Sequence, residues 1–245
     1  MFELTLCLAF DRQKYISHFY KSMLDFVKQE DGIIVKHNSG GKSYLSIAVN
    51  DNKREYIKSK VLDFVTFVIE NDFKLNFFKE KLEFKNQEIL TEAFLKAISC
   101  FDQEFDREII SQAIEFSSEI VIESLFYFKL QSLTNRWQKT ANIINQNLIM
   151  NNDNSMSEVL RYLCAVAENN AVFVDVVLNS KQIELKNFIY HKKFKKTDEG
   201  ISKMFAEIIG LNPLKINVKE KEDIGEYGDV KSTLLKVFND KIYFV

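Results

Sequence analysis

The nearest approach to a catalytic motif in this chain is Gly41-Lys42-Ser43, inside the stretch HNSGGKSYLS at 37–46. Gly-Lys-Ser is how a phosphate-binding loop ends: backbone N–H groups curl around the phosphates and the lysine reaches the terminal ones. The complete loop has another glycine five residues before Gly41, and Lys36 stands there. It also runs into a helix, whose N-terminal amides hold the anion. Here YLSIAV follows, and its alternation is that of a strand. Asn38, Ser39, Gly40 and Gly41 suit a hairpin turn, because these residues tolerate positive φ. The motif therefore reads as a turn, and Lys42 as an exposed lysine.

Other chemistry finds less support. His18, His37 and His191 are the three histidines, and no two of them share a metal-ligand spacing. His18 falls on the polar side of its helix and His37 at a hairpin shoulder. FDQEFDRE at 101–108 gathers Asp102, Glu104, Asp106 and Glu108, without the glycine and later glutamate of a calcium loop. Carboxylates in that pattern suit the start of a helix, through capping and the dipole. There is no Gly-x-Ser-x-Gly elbow to present a serine nucleophile. Cys7 and Cys164 lie in apolar stretches and read as buried, inert thiols. The residues thus assign no catalytic, cofactor-binding or metal-binding group, and no cofactor is expected.

One run of residues is a candidate for binding. Lys192, Lys193, Phe194, Lys195 and Lys196 place four lysines around an aromatic ring. Such a set can contact a phosphate backbone and stack a base. It can also rest on an anionic membrane surface or an acidic partner. Against these stands a plain solvated loop, balanced by Asp198 and Glu199 directly after it.

These residues must be positioned by a fold, and the chain is long enough for one large domain or two small ones at 245 residues. With 46% hydrophobic residues it can build a core without covalent staples. A formal net charge of -2 argues against a nucleic-acid binder that relies on overall basic charge, while leaving room for a local patch. Arginine occurs only at 12, 54, 107, 136 and 161, so forks for reading bases are few. Three scattered cysteines make no disulfide framework and fit a reducing cytosol. No signal-peptide pattern and no apolar run of membrane-spanning length is present, so a cytoplasmic protein is expected.

Along the chain, FELTLCLAF alternates as a half-buried strand. A helix follows from Asp11, with Ile16, Phe19, Tyr20, Met23 and Val27 at helical spacing. IIVKH and KSYLSIAV are two further strands around the turn. REYIKSKVLDFVTFVI reads as a deeply buried helix, and KLNFFKEKLEF as a shorter one. Asn86 is placed to cap QEILTEAFLKAI. DREIISQAIEFSSEIVIES reads as one helix. Phe126, Leu130, Leu133, Trp137, Ala141, Ile144 and Leu148 then form a continuous apolar seam. NNDN at 151–154 is a loop, and Ser155 with Glu158 a capping box. AVFVDVVL and QIELKNFIY form a hairpin, HKKFKKTDEG a charged loop, and ISKMFAEIIGLN a helix stopped by Pro213. LKINV, the polar loop EKEDIGEYG, the helix VKSTLLKVFN and KIYFV complete a strand-helix-strand ending that favours a parallel pair. The fold class expected is α+β or mixed α/β: a small N-terminal β-α-β-β unit at 1–50, a helical region at 51–170 and a small C-terminal α/β unit at 171–245.

Placed in this order, several stretches resemble the putative sporulation protein YtxC family of spore-forming Firmicutes. SLFYFKLQSL at 124–133 is similar to the family segment in which an apolar stretch meets Phe-Arg-Leu and starts a long helix. MSEVLRYLCAVAENN followed by VFVDVVLN is similar to its next helix and strand. LNPLKINV resembles its Ala-Pro-x-x-Ile-x-Ile-His strand, and LLKVFNDKIYF its Ile-Phe-x-x-Arg-Val end. The chain departs from the pattern at Lys129 and Lys241, where arginine is usual, at Val218, where histidine is frequent, and at Val245, near a frequent cysteine. Roles of those family residues are not carried over. The resemblance implies a cytoplasmic protein of spore-formers and supplies no catalytic residue. The expectation is a non-enzymatic, sporulation-associated interaction or scaffold protein with a protein partner. The alternative is a nucleic-acid-binding protein that uses Lys192–Lys196. Because Lys42 belongs to a turn, Lys42→Ala is expected to leave any binding of a fluorescent ATP or GTP analogue at the wild-type level in an equilibrium titration.

Overall fold

The computed structural model describes residues 1–83, 90–148, 153–166, 171–180, 182–188, 190–220 and 227–245. In chain order the elements are β1 (Phe2–Ala9), α1 (Gln13–Gln29), β2 (Ile33–Ser39), β3 (Lys42–Val49), α2 (Arg54–Val68), α3 (Leu75–Lys81), α4 (Thr91–Cys100) and α5 (Gln103–Ala113). There follow β4 (Glu119–Val121), the single turn α6 (Ile122–Ser124), α7 (Gln131–Leu148), α8 (Asp153–Val166), β5 (Ala171–Leu178), β6 (Gln182–Lys186), β7 (His191–Lys195), α9 (Asp198–Leu211), β8 (Pro213–Glu220), α10 (Gly228–Phe238) and β9 (Ile242–Phe244). The fold is mixed α+β, and the described residues form one four-stranded and one five-stranded sheet. Two compact units divide the chain: Met1–Lys74 with Asp102–Gln138, and Leu75–Phe101 with Lys139–Val245. The helical stretch 51–170 contributes to both. The caps expected from Asn86 and Ser155, the side chain of Leu148 and most of the polar loop EKEDIGEYG lie outside the described residues.

In the first unit the sheet runs β2-β3-β1-β4. Antiparallel pairing sets Leu4 opposite Ile47 and Leu6 opposite Leu45, and all four are buried. Helix α1 lays Ile16, Phe19, Met23 and Val27 into the same core, as its spacing predicts. Gly40 and Gly41, at φ +56° and +74°, form a two-residue turn between Ser39 and Lys42. Positive φ at both positions is the geometry that matches strand twist. The strand after the turn buries Ser43 opposite Leu8, so the hydroxyl that a phosphate loop would give to a metal points into the core.

Two expectations for this unit are corrected. The helix drawn over 106–124 ends at Ala113, where Ile114 turns to extended backbone. Glu119–Val121 then form β4, parallel to β1 with Leu6 opposite Ile120. The seam through Trp137 is also interrupted. Leu125–Lys129 form a wide π-helical turn, and α7 begins only after Leu130. Phe126, Leu130, Leu133, Trp137 and Ala141 are nonetheless buried, so the spacing located the apolar face correctly.

In the second unit the sheet runs β7-β6-β5-β8-β9. Strands β5 and β6 form the expected hairpin, and β8 and β9 the expected parallel pair. Val174, Val176, Ile183, Leu185, Ile216 and Val218 are buried on one face. Helix α9 packs against β6 and β7, and α10 against β9. Phe205 of α9 stacks on Phe238 of α10 with centroids 6.5 Å apart. Asn212 ends α9 in the left-handed region at φ +35°, directly before Pro213 opens β8.

The first unit also contains a buried ion pair. Lys74 Nζ donates to Asp106 at 2.6 Å, with side chains 3% and 1% exposed. Lys74 closes a second π-helical turn, Ile69–Lys74, and its ammonium lies 5.8 Å from the Trp137 ring. Burial pushes the Asp106 carboxyl above its usual range, against the pull of Lys74. Desolvating both ions makes such a pair a weak net stabiliser, yet removing one partner strands the other. Lys74→Met is therefore expected to destabilise by about 3–5 kcal/mol, and Lys74→Met with Asp106→Leu to recover most of that loss. Urea unfolding followed by Trp137, the one tryptophan in the chain, measures both. A single variant that unfolds at the wild-type midpoint contradicts the expectation.

Candidate functional site

The basic run is not a loop. His191–Lys195 form β7, an edge strand antiparallel to β6, and Thr197 caps α9 by accepting from Gly200 N at 3.2 Å. Asp198 and Glu199 occupy the first helical turn, where the dipole favours negative charge. Three lysines in the five residues of the strand carry no apolar period, so it is made by its pairing with β6 and not by local preference.

Strand geometry separates the five residues, since successive side chains point to opposite faces. Phe194 lies beside buried Ile183 and is itself half-buried. Lys192, beside Leu185, reaches Glu207 of α9 at 2.8 Å. Tyr190 also donates to Glu207, and burial together with that carboxylate raises its phenol. Lys196 lies past the strand end, with its ammonium 4.6 Å from the Tyr227 ring. Lys193 and Lys195 alone of the four share the outer face, and both are exposed. The run is thus divided between the two faces of the sheet and the strand end.

The outer face brings other residues to these two. Pairing register places Lys195 beside Gln182, Lys193 beside Glu184 and His191 beside Lys186. Lys186 lies beside Asp175, which in turn pairs with Asn217 of β8. Phe173 pairs with Lys215, Val177 with Lys219, and Asn217 with Tyr243 of β9. One face therefore carries five lysines, at 186, 193, 195, 215 and 219, against the carboxylates of Asp175 and Glu184. It also presents Phe173, 55% exposed, and Tyr243, 48% exposed.

Both carboxylates are engaged. Glu184 is paired with Lys186 at 2.5 Å and contacts His191 at 3.3 Å and Gln182 at 2.9 Å. Lys186 above all, with His191 and Gln182, holds its carboxyl down at about 2. Burial pushes Asp175 upward, but hydrogen bonds from Lys219 at 2.6 Å and Asn217 at 2.9 Å outweigh it and leave the carboxyl below its usual range. Among the described residues, Lys193, Lys195 and Lys215 remain as cations without an ion-paired carboxylate on this face. Lys215 instead sits 4.2 Å from the Tyr243 ring, a cation–π distance.

Lysines on an edge strand have an ordinary use, because they keep the edge from pairing with other chains. That accounts for Lys193 and Lys195. It does not account for Lys215, since β8 lies between β5 and β9, nor for two exposed aromatic rings on the same face. Sequence spacing missed Lys215, Phe173 and Tyr243 because they come from three strands far apart in the chain. The period-two pattern of each strand was visible, but not which of its faces the helices would cover.

The carboxylates of 101–108 are dispersed. Asp102, at the α5 N-cap with φ +59°, pairs with Arg136 at 2.5 Å, Asp106 is buried on Lys74, and Glu104 and Glu108 are exposed. Among the described residues no group of three or more His, Cys, Asp or Glu is arranged to hold a metal ion, and no helix is long and apolar enough to cross a membrane. Cys7 and Cys164 are buried, and burial pushes the Cys164 thiol up to about 11.

The outer face depends on the close approach of α9 to β7. A Cβ on Gly200 would stand 2.1 Å from the Lys195 carbonyl oxygen, so any side chain forces strand and helix apart. Gly200→Ala is expected to destabilise by about 1–3 kcal/mol, read as a lower thermal midpoint. A midpoint equal to wild type would show that this contact does not hold the edge strand.

No family model, no curated protein and no solved structure matches this chain.

Proposed function

We propose that this protein is a non-enzymatic binding protein that docks nucleic acid on the outer face of its C-terminal sheet. The observation that carries the reading is the juxtaposition, on one sheet face, of exposed Lys193, Lys195, Phe173 and Tyr243 with half-buried Lys215. Cations without a carboxylate partner attract a phosphate backbone, and exposed rings offer surfaces to bases. An acidic protein partner would be served by the lysines alone, and the rings favour the nucleic acid. The overall charge of -2 makes the interaction local, confined to this face. The resemblance to the YtxC family supports, as part of the same proposal, a role in the cytoplasm of a sporulating cell.

Titration of a labelled oligonucleotide at several salt concentrations tests the reading. For a single strand, each neutralised phosphate contributes about 0.7 to the slope of log affinity against log salt. Lys193→Gln with Lys195→Gln and Lys215→Gln is expected to reduce that slope by about 2. Lys192→Gln with Lys196→Gln is expected to leave it unchanged, because those side chains are off the face. Equal loss from both variants, or no loss from the first, would refute the assignment.

A further inference from the structure

The same face carries a finer inference, which rests on the reading just given. We infer that it selects single-stranded over duplex nucleic acid, by stacking bases on Phe173 and Tyr243 with Lys215 between them to meet the connecting phosphates. Single exposed aromatics are common on protein surfaces and carry no meaning alone. These two lie on one face, on strands flanking the same central strand, β8. Phe173 is in register with Lys215, and Tyr243 with Asn217 two residues further along. Strand spacing and rise set their Cα positions about 12 Å apart, across two inter-strand gaps and two residues.

Lys215 occupies the gap between them. Its position next to the Tyr243 ring, at 4.2 Å, holds a cation in the row while leaving the ring half-exposed. Lys219 of the same strand is drawn to Asp175, so Lys215 is the uncompensated charge of β8 on this face. The row therefore reads ring, cation, ring. A single strand lying across β5, β8 and β9 meets that order with base, phosphate and base.

A duplex does not. Its base faces are hidden in the stack, and its undeformed grooves admit a helix or a narrow ribbon more readily than the broad face of a sheet. Duplex DNA can touch the lysines but reaches the rings only by unstacking its bases, at a free-energy cost. Stacking on an aromatic ring is tolerant of base identity, since every base has a π-face. The few arginines in the chain agree with recognition by stacking and charge in place of base reading. The ligand class is thus a single strand with little sequence preference.

The test is fluorescence anisotropy with an oligodeoxythymidine of about 20 nucleotides, and a duplex of the same length, both titrated with the full chain. The expected result is tighter binding of the single strand by tenfold or more. Phe173→Ala and Tyr243→Ala are each expected to weaken single-strand binding about 5- to 100-fold, with the salt slope and the duplex affinity unchanged. Phe173→Leu keeps the apolar bulk without the ring and is expected to lose affinity as Phe173→Ala does, whereas Phe173→Trp retains it. Recovery by leucine would mean that Phe173 only supports the sheet, and would overturn the stacking inference. Equal affinity for duplex and single strand, or ring variants that bind as wild type, would overturn it too, while leaving nucleic-acid docking by charge in place. Failure to bind either oligonucleotide at about 50 mM salt would overturn both the inference and the proposed function.

Discussion

The pleat of the five-stranded sheet governs what the C-terminal unit can present. Side chains alternate strictly across a strand, so each residue of β5–β9 faces either the helices or the opposite side. Burial of Val174, Val176, Ile183, Leu185, Ile216 and Val218 fixes that choice for every strand but the edge ones. A shift of one residue in any pairing would send these side chains outward and bring lysines into the core, at a cost no surface interaction offsets. The register is therefore set by the apolar face, and the polar face follows from it. Lys215, Phe173 and Tyr243 meet on one side because their neighbours in sequence are held on the other.

The first unit meets a similar demand differently. Its four-stranded sheet is covered by α1, and its remaining core is built around two π-helical turns, Ile69–Lys74 and Leu125–Lys129. Phe73, Phe126 and Trp137 join them, with ring centroids 4.5 and 5.9 Å apart. A π-turn inserts a residue into a helix and re-aims the side chains after it. One consequence here is Lys74, whose ammonium is buried against Asp106 when an exposed position would avoid the desolvation cost. This pair is an internal feature of the unit's core.

How much of this was legible in the sequence follows from how local each feature is. The N-terminal β-α-β-β order was readable, because the hairpin is specified by Gly40 and Gly41 and the strands by strict alternation. The apolar side of α7 was readable for the same reason. Strand β4 was not: Ile120 and Val121 favour a strand locally, but they sit in a longer stretch whose apolar spacing also fits a helix, and pairing with β1 more than a hundred positions earlier decides it. Lys74 and Asp106 are 32 residues apart, and nothing in either segment announces the other. The basic run shows the limit most clearly. Its composition marked it as a charged segment, correctly, but its conformation comes from β6, whose free edge supplies the hydrogen bonds. Once it is a strand, the cluster of five divides, and its two outward lysines join residues that no spacing rule connects to them.

This division changes what the charge of the face means. The overall balance of the chain is slightly negative, and the outer face contains two carboxylates of its own. Each of them is held below its usual range by hydrogen bonds from neighbouring lysines, so both remain ionised and both neutralise a cation, Lys186 in one case and Lys219 in the other. Those two pairs lie near the middle of the face and fix the lysine stems along the sheet. What is left for a ligand is set by subtraction: Lys193 and Lys195 at the β7 edge, and Lys215 beside Tyr243. Because both carboxylates stay charged well below neutral pH, the balance of these pairs does not change across the physiological range. Attraction for an anion then depends on salt far more than on the titration of the carboxylates. A face of this kind is a weak electrostatic surface and gains from contacts that salt does not screen, which is the contribution that exposed rings are able to make.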